Sequence, residues 1–184
     1  MVTEGARAPA FELPGMTDGS FEKFSLTDAI DQDHAVLFLF YPFDFSPVCT
    51  NELCAIRDAE WFQFTPNLEV WAASGDSAYA HRAFAEEFGL NFPLLSDSHG
   101  SVATAYDVCY DEWENHESVP KRAVFLIDSS RTIRYAWSTD DALEKPDFFP
   151  VKEALDRLTE ERDGFGADDV DLAVEYDEGP GQIS

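Results

Sequence analysis

Residues 35–41 read AVLFLFY, an unbroken run of apolar and aromatic side chains. Alternation would mark a strand with one wet face, whereas a short continuous run marks a strand covered on both faces. Few architectures offer such a place. A strand buried on two sides lies inside a sheet that carries helices above and below it, which predicts an α/β chain. The segment after the strand is equally constraining. Residues 42–54, PFDFSPVCTNELC, set two prolines and two cysteines between the strand and a helix-like stretch. A strand, a tight loop and a helix bring the end of the loop against unpaired backbone N–H groups and a positive dipole end. Cys49 falls at that place.

The rest of the pattern supplies the layers. APAFEL, a turn at PGMTDGS with Gly15 and Gly19, and FEKFSL predict an N-terminal hairpin, followed by a helical turn at Leu26–Ile30. Residues 50–64 turn helical, and 68–73 read as a second buried strand. SAYAHRAFAEEF, residues 77–88, is a helix with Ser77 at its N-cap and Gly89 at its stop. PLLSD, a short helix SVATAYDV and a loop over 110–121 lead to two β runs, 123–128 and 132–138, joined by Ser129-Ser130-Arg131. A helix over 149–161, with Pro150 in its first turn, closes one domain spanning 1–162. The expected fold is a central mixed β-sheet flanked by helices. Residues 163–184 hold seven acids and no base and are expected to form a mobile tail, although VDLAVEY alternates well enough to pair on a sheet edge.

Charge narrows the partners. Twelve Lys and Arg stand against 37 Asp and Glu, a formal net charge of −25. Such a surface repels phosphate backbones and anionic lipid, so no nucleic acid and no membrane surface is expected. Because the acids are distributed and only four residues are Lys, the composition fits a halophilic protein kept soluble in concentrated salt; a merely acidic chain with a charged tail is the plainer alternative. No apolar stretch reaches membrane-spanning length, and VTEGARAP is no secretion signal. A cytoplasmic protein is expected. Three cysteines, an odd number, argue against a disulfide framework and leave buried, catalytic or metal-bound roles. With four scattered histidines they lack the C-x-x-C pairing of a zinc site, so no metal and no other cofactor is expected.

Helix N-terminal N–H groups favour thiolate over thiol and so make a nucleophile of a cysteine; most lone cysteines are nonetheless inert small hydrophobes. Here Pro42 and Pro47 stiffen the loop, and Ser46 places a hydroxyl three residues before Cys49. Structural duty alone does not require that combination. Pro42, Ser46 and Cys49 match, position for position, the nucleophile loop of the peroxiredoxins (the AhpC/TSA family), and Glu52 matches the acid three residues on. Gly5, Ala8-Pro9, Phe11, Leu13, Gly19, Leu26 and Asp28 resemble that family's opening; Arg122 in RAVFLID and the hairpin DSSRTIRY resemble its later part. The resemblance covers residues 5 to about 160 and implies a thioredoxin-like fold that reduces hydroperoxides at a cysteine.

By that resemblance Cys49 is the peroxidatic nucleophile and becomes a sulfenic acid. Ser46 and loop N–H groups hold the peroxide oxygens, Arg122 stabilises thiolate and leaving group, Glu52 orients an arginine, and Pro42 keeps water from the sulfur. The donor of electrons is a thioredoxin-like protein or a small thiol, and a monomer or homodimer is expected. A thioredoxin-like thiol–disulfide oxidoreductase would carry C-x-x-C, whereas four residues separate Cys49 from Cys54; a redox-inactive binding scaffold would not need Pro42, Ser46, Cys49 and Arg122 together. Five residues along a helix turn Cys54 about 140° and roughly 7.5 Å away, a Cα separation near 9 Å, beyond the roughly 7 Å that a disulfide spans. The first turns of the helix must therefore unwind for Cys54 to reach Cys49. The same spacing occurs in the bacterioferritin-comigratory-like group, where the second cysteine acts as resolver, while FDFSPVC looks closer to the alkyl hydroperoxide reductase E-like group. Cys54 is the first candidate resolving residue, a buried small hydrophobe its alternative role, and Cys109 the weaker candidate.

Overall fold

The structure, a computed structural model, describes residues 1–163. The acidic tail of residues 164–184 lies outside the described residues, and the pairing expected of VDLAVEY with it.

The chain opens with β1 (Glu12–Thr17) and β2 (Ser20–Ser25), then α1 (Leu26–Asp31) and β3 (Ala35–Phe40). Next come α2 (Pro47–Asp58), α3 (Glu60–Phe64), β4 (Leu68–Ser74), α4 (Ala78–Phe88), β5 (Leu94–Ser96) and α5 (Ser101–Ala105). A small hairpin of β6 (Glu112–Trp113) and β7 (His116–Glu117) precedes β8 (Ala123–Ile127), β9 (Ile133–Ser138) and α6 (Phe149–Asp163). Seven strands form one mixed sheet in the order β2-β1-β5-β4-β3-β8-β9.

The apolar run becomes the inner strand of that sheet. β3 pairs parallel with β4 from Ala35↔Leu68 to Phe40↔Ala73, and antiparallel with β8 from Val36↔Ile127 to Phe40↔Ala123. Strand geometry then divides its side chains between two cores. Leu37, Leu39 and Tyr41 pack with Leu53 and Ile56 of α2, Phe84 of α4, and Val151 and Leu155 of α6. Val36, Phe38 and Phe40 pack on the other face with Leu26 and Ala29 of α1, Val102 of α5, and Phe11 and Tyr106. Both layers are required, because no residue of β3 is exposed.

Three expectations shift in detail. The N-terminal hairpin turns at Asp18-Gly19, with φ of 48° and 76°, and not from Pro14 onward. Two left-handed residues match the twist of the strands they join. Pro14 and Gly15 lie inside β1, where a Cβ on Gly15 would sit 2.7 Å from the Leu94 carbonyl oxygen and 2.9 Å from Phe24. The helix expected over 50–64 starts earlier, at Pro47, and breaks at Ala59, whose φ of −77° and ψ of 103° are extended. Proline suits the start because its missing N–H has no helical partner at that position. The 110–121 loop contains the β6–β7 hairpin, too short for any periodicity to announce.

Candidate active site

After β3 the chain passes Tyr41 and Pro42, both buried, and enters α2 through Ser46. Ser46 takes the N-cap position with φ −62° and ψ 133°; its carbonyl accepts from Thr50 N–H at 2.8 Å, while its hydroxyl makes no capping bond. Cys49 is therefore the third residue of the helix, inside its first turn, and its relative exposure is 0%.

Arg122 reaches the sulfur from immediately before β8. Its Nη2 donates to Cys49 Sγ at 3.4 Å and to the Ala142 carbonyl at 2.9 Å, while Nη1 donates to Glu52 Oε2. Glu52, one turn beyond Cys49, is fully buried, and Arg122 is 1% exposed. Neither is the solvated surface group that its residue type suggests. Arg122 Nε and Glu52 Oε1 are buried without a hydrogen-bond partner among the described residues. Burial pushes the Glu52 carboxyl up, against the pull of the Arg122 guanidinium. Burial also acts to lower Arg122, but the Glu52 carboxylate and the Cys49 sulfur outweigh it and hold the guanidinium above its ordinary value. A fixed positive charge thus faces the sulfur in a dry setting, where charge stabilises most.

The 139–148 loop closes over this pair. It contributes the Ala142 carbonyl to Arg122, and Lys145 Nζ donates to Asn51 Oδ1 in α2 at 2.9 Å. Sequence pattern did not single out Lys145 or Asn51, which are 94 residues apart.

Of the other two thiols, one shares the helix of Cys49 and one lies across the sheet. Cys54 lies in α2, partly buried, with Arg57 Nη1 donating to its Sγ at 3.7 Å; burial raises its pKa and Arg57 opposes the rise. Cys109 packs against the core of the opposite face from Cys49, with its thiol donating to the Tyr110 carbonyl at 3.4 Å. All three cysteines are free thiols. Of the residues named from sequence, Cys49, Glu52 and Arg122 meet directly, Ser46 and Pro42 flank them on the loop, and Cys54 shares the helix.

A second polar cluster, around Asp44, Tyr41 and His81, escaped the sequence reading. One signal was available: His81 occurs at helical spacing with Phe84, Ala85 and Phe88, on the face of α4 that is buried.

Comparison with known proteins gives the family. The AhpC/TSA family model matches residues 5–136. The chain belongs to that family. It is 36% identical over 137 residues to the peroxiredoxin bcp of Coxiella burnetii, covering 72% of this chain and 86% of that protein. It is 32% identical to the chloroplastic 2-Cys peroxiredoxin BAS1 of Spinacia oleracea, covering 72% of this chain and only 51% of the plant protein. The reduced 2-Cys peroxiredoxin of Plasmodium vivax superposes with a TM-score of 0.77 at 28% identity, over 89% of this chain and 86% of that one. The fold of this AhpC/TSA protein is thus the thioredoxin-like one of solved peroxiredoxins. Among its described residues no group of His, Cys, Asp and Glu is arranged to hold a metal, and no helix is long and apolar enough to cross a membrane.

Proposed function

We propose that Cys49 is the peroxidatic nucleophile of this thiol-dependent peroxidase, acting on hydrogen peroxide and alkyl hydroperoxides. The observation that carries the reading is the Arg122 guanidinium, braced by buried Glu52 and donating to Cys49 Sγ at 3.4 Å. The sulfur, as thiolate, attacks the terminal peroxide oxygen; the O–O bond breaks, and its electron pair leaves on the second oxygen, which takes a proton to become water or an alcohol. Arg122 faces the charge that develops in that displacement. The Ser46 hydroxyl, uncommitted to the helix cap, holds a peroxide oxygen, and Pro42, buried behind the loop, excludes water.

Cys49 is left as a sulfenic acid. The Cys54 thiol then attacks that sulfur and expels water, forming a disulfide. Cys54 is favoured over Cys109 because it shares α2 with Cys49, whereas Cys109 packs on the far side of the sheet. A thioredoxin-type protein or small thiol returns the pair to thiols, in a cytoplasm that keeps all three cysteines reduced, and the enzyme works as a monomer or homodimer.

The test is Cys49→Ser, because a hydroxyl at this place is no substitute for a thiolate. Turnover of peroxide with a thiol reductant is expected to vanish. Rapid peroxide reduction by that variant would sink the assignment.

A further inference from the structure

Asp44 is the single acid in the stretch between β3 and α2, five residues before Cys49, and its side chain is 2% exposed. Its Oδ1 accepts from the Tyr41 hydroxyl at 2.7 Å, and its Oδ2 lies 2.9 Å from His81 Nδ1. Its backbone N–H donates to Asp76 Oδ2 at 2.8 Å, an oxygen that also accepts from Ser74 at 2.9 Å. His81, on α4, is fully buried, and its Nε2 lies 3.0 Å from the Leu95 carbonyl of β5. A carbonyl oxygen only accepts, so Nε2 is the donor in that contact, which leaves Nδ1 facing the Asp44 carboxyl. Burial, followed by the Asp44 charge, pushes the Tyr41 hydroxyl well above its ordinary pKa, which keeps it a donor. The loop is therefore tied to α4, β5 and the end of β4 by buried and part-buried bonds that Arg122 and Glu52 do not share.

The next residue is strained. Phe45 has φ of 61°, a left-handed conformation that side chains with a Cβ seldom adopt and hold only where the surroundings enforce it. The residue is 47% exposed, and its ring rests on Phe84 and Phe88 of α4, with centroids 5.0 and 6.3 Å away. A bent segment, prone to relax, is thus held at its base by a polar cluster.

We propose that Asp44, His81 and Tyr41 form a latch that holds the Cys49 loop closed and so sets how often Cys49 leaves its pocket. They are positioning residues, acting through the loop and not on the peroxide. The role in catalysis rests on the reading of Cys49 as a nucleophile resolved by Cys54, but the opening itself is measurable without it.

In the full-length Cys54→Ser/Cys109→Ser protein, Cys49 is the single thiol, and a bulky maleimide reaches it only when the loop opens. Adding Asp44→Ala or His81→Leu is expected to raise the labelling rate about tenfold or more, the scale of losing a charge-assisted buried bond. Tyr41→Phe, which removes one hydroxyl, is expected to raise it about threefold. These increases should depend little on urea below the unfolding transition, as local openings do. Asp128→Ala breaks a comparable turn network, with Ser130 and Thr132 at the far end of β8, and should leave labelling unchanged. Unchanged labelling in folded Asp44→Ala, a steep urea dependence, or an equal rise in Asp128→Ala would overturn the latch. If Asp44→Ala does not fold, Tyr41→Phe decides, and no rise there overturns it. Absence of a Cys49–Cys54 bond in the peroxide-treated parent protein would instead remove the resolver reading, while a latch-dependent labelling rate would still stand.

Discussion

Replacing Arg122 by Met separates what the guanidinium does for the fold from what it does for the sulfur. The side chain is 1% exposed and is paired with a Glu52 that is itself fully buried. Removing it leaves a buried carboxylate unpaired, a change that costs about 3–5 kcal/mol. It also removes the donor 3.4 Å from Cys49 Sγ, and losing one such donor slows a reaction that develops negative charge by about 100- to 1,000-fold. Arg122→Met should therefore be both unstable and slow. Adding Glu52→Gln removes the stranded charge, so the double variant should recover most of the stability and none of the rate. The pH dependence comes from Glu52. Burial already raises its pKa from the ordinary 4.5, and without Arg122 only Lys145 is left to oppose that rise. A carboxyl with a raised folded-state pKa stabilises below its unfolded value and loses that contribution as pH rises through the folded value. The stability deficit of Arg122→Met should accordingly grow as pH is raised above about 4.5. Urea melts from pH 4.5 to 8, with stopped-flow tryptophan fluorescence for the peroxide step, read both effects. A double variant that regains the rate, or an Arg122→Met protein as stable as the parent at pH 7, would refute the reasoning.

Peptide mapping after peroxide treatment should find a Cys49–Cys54 bond that survives Cys109→Ser and disappears in Cys54→Ser, the latter accumulating sulfinic acid; a Cys49–Cys109 bond would reverse the assignment. If the −25 charge is a salt adaptation, the melting temperature should climb steadily from dilute buffer to molar potassium chloride as self-repulsion is screened. A flat response leaves only an acidic protein. Gly15→Ala places a methyl 2.7 Å from the Leu94 carbonyl oxygen and should cost about 1–3 kcal/mol in urea unfolding, by forcing β1 away from β5.

The core was legible because its signal is local and strong. An apolar run such as 35–41 has one reading at domain scale, and Ser77 and Gly89 bracket α4 as their chemistry demands. The loop that carries Cys49 was legible as a candidate site because two prolines, a serine and a cysteine share one short stretch. What stayed hidden depends on contacts between distant segments. Nothing near Asp44 in sequence announces a histidine 37 positions on, and nothing near Asn51 announces Lys145. Glu52 in isolation reads as a solvated helix acid, and only the arrival of Arg122 from 70 residues away gives its burial a reason. The N-terminal turn was read too wide, from Pro14 onward, for a different cause. The stretch holds two glycines, and the close packing of Gly15 against β5 that keeps it inside β1 is a tertiary fact.

The break at Ala59 bears on how far a chemical event at Cys49 travels. Under the proposed resolution, joining Cys49 to Cys54 would take the middle out of α2 and leave Ala55–Asp58, a remnant of one turn that cannot persist as helix by itself, because a helix must first meet the cost of its nucleus. α2 would then melt as a single cooperative unit. The hydrogen-bond ladder is already interrupted at Ala59, so melting has no rung to climb into α3, where Trp61 and Phe62 remain seated in the core. The domain carries its own firebreak: a redox cycle of the proposed kind would consume one helix at each turn and leave standing the hydrophobic interior that must rebuild it.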